Sequence, residues 1–412
     1  MRALLNVGCG LDVHKRSVTA CLIQVGARGE ATREVRTFET TTSDLLKLAE
    51  WLTQCGCQHV AMESTGVYWK PVFNVLESVC QQVLLVNAQH IKNVPGRKTD
   101  VKDSEWIADL LVHGLLSASF IPPKDIRELR ELTRYRKKLI QQRASQANRI
   151  QKLLEVCNIK LASVASDVLG VSGRNILQAL IEGETDAAKM AELAQGRMRK
   201  KIPQLTEALR GVMSPTQRWL LNEQLDHIVE LDARIGHLDE KIEELTLPFA
   251  PLIQKLCEIP GVGRRIAEVV LAEIGTNMKQ FPTSAHLASW SGMCPGHHES
   301  AGKRQSGKTR KGSPWLRAAL VEAGWAASHT KDTYLSAQAK NIARRRGQKR
   351  ACIAVGHSIL TIIYELLSHP DQTYRELTAE AYCLTDRNRL KFDLLRRLRA
   401  LGVEVEVRDE AA

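Results

Sequence analysis

From Lys124 to Cys157 the chain runs without a glycine or proline, and from Ile228 to Leu245 apolar residues recur at alternating spacings of three and four. These two stretches limit the fold more than any other feature. In the first, Ile126, Leu129, Leu132, Leu139, Ile150 and Leu154 form a stripe amid lysines and arginines. Such a segment predicts one helix about 50 Å long at 1.5 Å rise per residue. In the second, Ile228, Leu231, Ile235, Leu238, Ile242 and Leu245 make a heptad seam, which needs a partner helix to cover it. The expected result is a long antiparallel coiled-coil arm over residues 121–250, opened by Pro122-Pro123 and closed by Pro248. Between its two halves, residues 158–215 read as short helices broken at Gly170, Gly173, Gly183, Gly196 and Gly211, with a basic run Arg197-Met-Arg-Lys-Lys201. A seam of this kind also predicts pairing between copies, as a dimer or tetramer.

Residues 1–120 follow another pattern. Leu4–Leu11, Ser17–Val25 and Val35–Phe38 read as strands, Leu45–Trp51 as a helix, Val60–Glu63 as a strand, Tyr68–Val79 as a helix and Val83–Val86 as a last strand. Hairpin strands followed by strands alternating with helices predict a mixed sheet covered by helices.

Four acids stand out against that scheme. Asp12 ends the first strand and Glu63 the fourth. Asp100 and Asp103 are three apart at the start of a helix that Thr99 can cap and that carries Trp106, Ile107, Leu110 and Leu111, so both carboxylates share a face of its first turn. Taken singly, each has a plain reading: a strand-end cap bonded to a backbone N–H, or a solvated acidic first turn. Taken together, they are an oxygen-only set suited to Mg²⁺ or Mn²⁺, and two such ions can clamp the oxygens of a scissile phosphate.

Charge points the same way. A net +12 on 412 residues calls for a polyanionic partner, nucleic acid before membrane. No run of about 18 apolar residues predicts a membrane span, and the N-terminus turns polar too soon for a secretory signal. The ten cysteines are scattered, and Cys55-Gly-Cys57 lacks the second pair a zinc site needs, so reduced thiols in a cytoplasmic protein are expected.

Residues 251–412 open with Ile259-Pro-Gly261-Val-Gly263-Arg264-Arg265, a helix-hairpin-helix pattern. Its glycines allow a tight turn whose N–H groups can hold a phosphate, with Arg264 and Arg265 adding charge; a compact structural turn is the alternative. A glycine-punctuated loop from Cys294 to Gly312 carries Lys303, Arg304, Lys308, Arg310 and Lys311, which suit a nucleic-acid backbone or a solvated surface equally. Ser300 and Ser306 lie in this loop, and clustered cations would favour a phosphoryl-accepting serine by stabilising charge on the phosphate. His297 and His298 are possible bases or plain loop residues. A second basic cluster, Arg344-Arg-Arg-Gly-Gln-Lys-Arg350, precedes an apolar helix over Ala351–Leu367, a basic amphipathic helix runs from Asn388 to Ala400, and Val403–Val407 alternates as a strand.

The segments Gly10-Leu-Asp12-Val-His-Lys, Met62-Glu63-Ser-Thr-Gly66-Val-Tyr-Trp and Lys98-Thr-Asp100-Val-Lys-Asp103 resemble the RuvC-like N-terminal domain of DEDD-class insertion-sequence transposases, the IS one-ten family. Glu299-Ser-Ala-Gly-Lys-Arg304 and Lys311-Gly-Ser-Pro-Trp-Leu-Arg317 resemble the same family's C-terminal transposase domain, although Ser313 stands where asparagine is common. The resemblance implies an α/β plus α chain: an RNase H-like domain over 1–120, the arm over 121–250 and a mainly helical C-terminal transposase domain over 251–412. It further implies a DNA recombinase in which Asp12, Glu63, Asp100 and Asp103 hold Mg²⁺ or Mn²⁺ and Ser300 becomes joined to DNA, with Ser306 as the alternative nucleophile. A structured guide RNA encoded by the element and a location at the bacterial nucleoid are implied as well. Acids and serine lie in different domains, so they must meet by folding back or, as the arm suggests, across an oligomer. Two other readings are a junction-resolving endonuclease without a covalent intermediate and a non-catalytic nucleic-acid scaffold.

Overall fold

In the computed structural model, residues 3–26, 30–64, 66–87, 103–296 and 299–400 are described. The chain divides into two units, Met1–Ile121 and Pro122–Ala412.

The first unit is built on a five-stranded mixed sheet. Strands β1 (Val7–Val13), β2 (Ser17–Val25) and β3 (Ala31–Glu39) form an antiparallel meander. Helix α1 (Thr42–Gln54) then leads to β4 (His59–Glu63), and α2 (Trp69–Leu76) to β5 (Gln82–Val86), both parallel to β1. The spatial order is β3-β2-β1-β4-β5. Side-chain alternation sorts the core into two faces. Leu11, Val18, Leu22 and Met62 pack with Leu48 and Leu52 of α1 and Leu76 of α2. On the other face Ala61 packs with Ile107, Leu110 and Leu111 of α3 (Asp103–Val112), and Cys21 and Ile23 pack with Ala108 and Val112. Strand β3 is longer than the expected Val35–Phe38. It is exposed along nearly its whole length, so it lacks an apolar alternation to read. As an edge strand it is charged, and its Arg33 reaches Asp109 of α3 at 3.0 Å.

The second unit begins with the arm. Helix α4 (Lys124–Val156) rises and four short helices follow: α5 (Leu161–Val164), α6 (Val171–Glu182), α7 (Ala187–Glu192) and α8 (Ile202–Ala208). Helix α9 (Pro215–Thr246) returns, opened by a capping box of Ser214 and Gln217. The pairing is antiparallel, because Arg136 meets Asp239, Arg143 meets Asp232 and Gln146 meets His227, the partners descending α9 as α4 ascends. Ile228, Leu231 and Ile242 of the seam are buried, whereas Ile235, Leu238 and Leu245 are half-buried. At the far end the short helices enclose a core with Ile150, Leu154, Leu221 and Ile228. Gly183 ends α6 in the left-handed region, but Gly173 breaks nothing: it lies inside α6, where a Cβ would stand 2.1 Å from the Val168 carbonyl oxygen. Close approach, not a turn, requires that glycine.

The remainder is helical: α10 (Ala250–Cys257), α11 (Arg264–Ile274), α12 (Ser284–Trp290), α13 (Pro314–His329), α14 (Tyr334–Arg346), α15 (Gln348–Ser368) and α16 (Ala379–Ala400). Between α12 and α13 lies a short hairpin, β6 (Glu299–Ser300) and β7 (Lys303–Arg304). Helix α15 is long and apolar enough to cross a membrane, contrary to the expectation that no segment would be. Half of its apolar window is buried within the fold, with Val355, Ile359, Leu360 and Ile363 in the core. The expected strand Val403–Val407 lies outside the described residues. All ten cysteines are free; burial pushes the Cys57 thiol up to about 12 and those of Cys21 and Cys80 to about 11. Thiols held that far above neutral pH are inert.

Candidate active site and nucleic-acid interface

The sheet register brings two of the predicted acids side by side. Leu11 of β1 pairs with Met62 of β4, so Asp12 and Glu63 come next on adjacent parallel strands, about 4.8 Å apart along the sheet. Leu11 and Met62 face α1 and α2, and the residues after them therefore face α3. Gly10 fixes where α3 lies. A Cβ there would stand 2.3 Å from the Ser104 carbonyl oxygen and 2.3 Å from the Ala108 nitrogen, so only glycine lets the helix rest on the strand. Gly8 faces Leu111 and Val112, one turn or more further along, which shows that α3 runs against β1. Asp12 thus lies level with the amino-terminal turn of α3, which begins with Asp103. Asp12, Glu63 and Asp103 share one face and one edge of the sheet. Asp100 and Thr99 lie outside the described residues.

The three side chains are not drawn around a common point: among the described residues, no group of three His, Cys, Asp or Glu side chains is arranged to hold a metal ion. Asp12 instead contacts His14 at 3.2 Å. Carboxylates side by side repel, and each takes whatever partner it finds. The donor set still fits a hard divalent cation, being all carboxylate oxygen at a partly open sheet edge beside a helix N-terminus.

The predicted serine lies in the second unit. Ser300 on β6 pairs with Lys303 on β7, and the turn residues Ala301 and Gly302 have φ of 49° and 72°, a type I′ hairpin. The ribbon continues below it: the Gly296 N–H donates to the Lys308 carbonyl at 2.8 Å and the Arg310 N–H to the Cys294 carbonyl at 3.1 Å. Ser300 is therefore exposed near the tip of the ribbon. Ser306 sits lower, half-buried, where its Oγ accepts from the Lys308 N–H at 3.1 Å. Arg310 donates to Ser289 at 3.0 Å, and Lys308 and Lys311 are exposed. His297 and His298 lie outside the described residues. Ser313, at the asparagine position, caps α13 by accepting from the Leu316 N–H and donates its own proton to Glu273 at 2.9 Å. An amide side chain has both a donor and an acceptor, so either residue type can fill the position.

The helix-hairpin-helix cations are otherwise engaged. Arg264 bonds Glu268 and Glu243, each at 3.0 Å, and Arg265 bonds Glu268 at 2.9 Å and Asp239 at 3.3 Å. Gly261, at φ +85°, presses on α13, where a Cβ would stand 2.3 Å from the Ala323 carbonyl oxygen. Gly263 alone of the two glycines faces open space. Glu268 is local, three and four residues on along α11, but Glu243 and Asp239 lie on α9 and Ala323 on α13, and no local signal announces those. What sequence reasoning missed is elsewhere: Arg317, Arg346 and Arg350 come together with Ser306 and Lys308 in one open cleft. The signal was there as two separate basic clusters.

A transposase family model of the DEDD, IS110 type matches residues 9–159, and one described as transposase IS116/IS110/IS902 family matches residues 253–340. The transposase for insertion sequence element IS1111A of Coxiella burnetii is 25% identical over 376 residues, 89% of this chain and 90% of that protein. The pilin gene-inverting protein of Moraxella lacunata is 23% identical over 376 residues, 87% of this chain and 94% of that protein. Both matched segments hold the predicted residues: the first spans all four acids, the second the serine ribbon. The chain belongs to the IS110 family of transposases and is an enzyme of DNA recombination.

Proposed function

We propose that the chain cuts and rejoins DNA strands of an insertion sequence, with a carboxylate-held divalent metal and Ser300 as nucleophile. The placement of Asp12 and Glu63 at neighbouring strand ends, level with the helix turn that carries Asp103, supports this reading best, on an RNase H-like domain with Asp100 as fourth ligand. Mg²⁺ or Mn²⁺ bound there would neutralise charge on the scissile phosphate. The Ser300 oxygen attacks phosphorus as its proton departs; a Ser–O–P bond forms, the P–O bond to one strand breaks, and that strand leaves as a hydroxyl. The phosphoserine ester keeps the bond energy, so a strand hydroxyl can attack it, rejoin DNA and release the serine. Of the two serines, Ser300 is the open one at the ribbon tip. Pairing of copies through the arm is part of the proposal, favoured by Tyr135 and Val229, apolar and about half exposed on its surface. An element-encoded RNA would choose the target.

Trapping covalent protein–DNA adduct after denaturation tests this. Wild-type protein with element-end DNA and Mg²⁺ should give the adduct, Ser300→Ala should give neither adduct nor rejoined product, and Ser306→Ala should keep both. Nicking that survives Ser300→Ala unchanged would favour a metal-dependent resolvase instead.

A further inference from the structure

The cleft beside the serine ribbon has no role in that chemistry. One wall is the return limb of the ribbon, with Ser306 and Lys308; the other is built by Arg317 of α13, Arg346 at the end of α14 and Arg350 in the first turn of α15. Ile342, Ile353 and Ala354 form its floor, and its volume is about 890 Å³. A second hollow of about 460 Å³ shares Ile342 and Arg346 and adds Arg345, so the groove continues around the end of α14. No acid among the described residues lines either hollow. Among the described residues, none of Lys308, Arg317, Arg345, Arg346 or Arg350 meets a carboxylate. Cations converging without counter-charge repel one another, and a polyanion from outside removes that cost. Among the described residues no aromatic side chain lines the groove for a base to stack on, so it suits a sugar-phosphate backbone and not base readout.

We infer that this groove holds the phosphodiester backbone of one DNA strand running on from the ribbon, with Arg346 and Arg350 as positioning residues. This rests on the proposed function, since the wall of the groove is the ribbon that carries Ser300, whose reaction partner is a DNA phosphate. Arg346 and Arg350 lie beyond the segment 253–340 that matches the family, so the match does not assign them.

The test is fluorescence anisotropy of full-length protein with a mixed-sequence single DNA strand, and with RNA of the same sequence, across a range of NaCl concentrations. For Arg346→Gln/Arg350→Gln, DNA affinity should fall on the order of 100-fold, about tenfold for each charged hydrogen-bonding partner lost. The slope of log affinity against log salt should flatten by about 1.4 for two phosphate contacts on a single strand. RNA presents the same phosphates and should lose no more affinity than DNA does, and Arg346→Lys/Arg350→Lys, which keeps the charge, should restore the DNA salt slope. An unchanged DNA slope, a loss confined to RNA, or failure of the lysine pair to restore the slope would overturn the inference. Adduct formation is read separately on wild-type protein, where its absence would defeat the serine mechanism while leaving the groove standing.

Discussion

Two sets of arginines on the same unit have opposite fates. Along the arm and its base, Arg134, Arg136, Arg143, Arg174, Arg264 and Arg265 each meet a carboxylate. In the groove beside the serine ribbon, Arg317, Arg345, Arg346 and Arg350 meet none among the described residues. The first set holds helices together. Arg134 grips the fully buried Glu273 at 2.7 and 2.9 Å, and Arg130 donates to the carbonyls of Ala272 and Glu273 at the C-terminal end of α11, where a cation is favoured. Burial pulls the Arg130 guanidinium down to about 10, still charged at neutral pH. The second set has no such structural work. A net charge of +12 therefore says little by itself; what decides function is whether each cation already has its acid.

That contrast can be broken most severely at Arg134. Arg134→Ala takes the two-point ion pair from buried Glu273, leaving it the Ser313 hydrogen bond and the nearby charge of Arg130, and should cost about 3 kcal/mol of stability in urea unfolding, at the low end for a broken buried pair. Arg350→Ala should stay within about 0.5 kcal/mol of wild type, as an exposed residue without partners does. Equal losses would erase the distinction between the two sets. A smaller effect belongs to Ser313. Ser313→Ala removes both the α13 cap and a hydrogen bond to Glu273, and should cost about 1 kcal/mol, whereas Ser313→Asn should recover most of it. If asparagine is no better than alanine, the cap is not the reason for the residue.

The mildest effect is one of pH. Burial acts to raise the Asp232 pKa, but hydrogen bonds and charge from Arg143 and Arg174 outweigh it and hold the carboxyl below its usual 3.8. A carboxyl depressed on folding adds stability above its unfolded pKa and loses it as pH falls through the folded value. The Asp232→Asn variant should therefore be less stable than wild type at neutral pH, and the difference should shrink as pH falls below 3.8. A difference that persists unchanged into stronger acid would show that the arm does not depend on this charge.

What could be read from the sequence follows the range of the forces involved. β1, β2 and β4 announce themselves by apolar runs, and the arm by its seam, because each is a local period matched to a buried face. Most of β3 was silent, since Thr32, Arg33, Glu34, Arg36 and Thr37 are exposed and only the ladder with β2 makes them a strand. Asp12 and Glu63 were legible as the ends of two strands, and the register makes those strands neighbours. The pairing of Arg264 with Glu243 and of Arg265 with Asp239 was illegible, because those partners sit on another helix, whereas Glu268 lies within local reach of both. The groove was hidden for the same reason. It exists because α13 and α15 touch through Gly324 and Gly356, where a Cβ would stand 2.4 Å from the Cys352 carbonyl oxygen and 2.6 Å from that of Leu320. Nothing local tells a reader that two glycines that far apart bring two basic clusters together.

The central claim is that acids distant along the chain gather around a cation at the edge of the sheet. Titrating full-length protein with Mn²⁺ and following the free-ion signal by electron paramagnetic resonance addresses it directly. Wild-type protein should remove Mn²⁺ from solution, and Asp12→Asn, Glu63→Gln and Asp103→Asn should each weaken that uptake. Uptake that is absent in the wild type, or equal in all four proteins, would contradict the account.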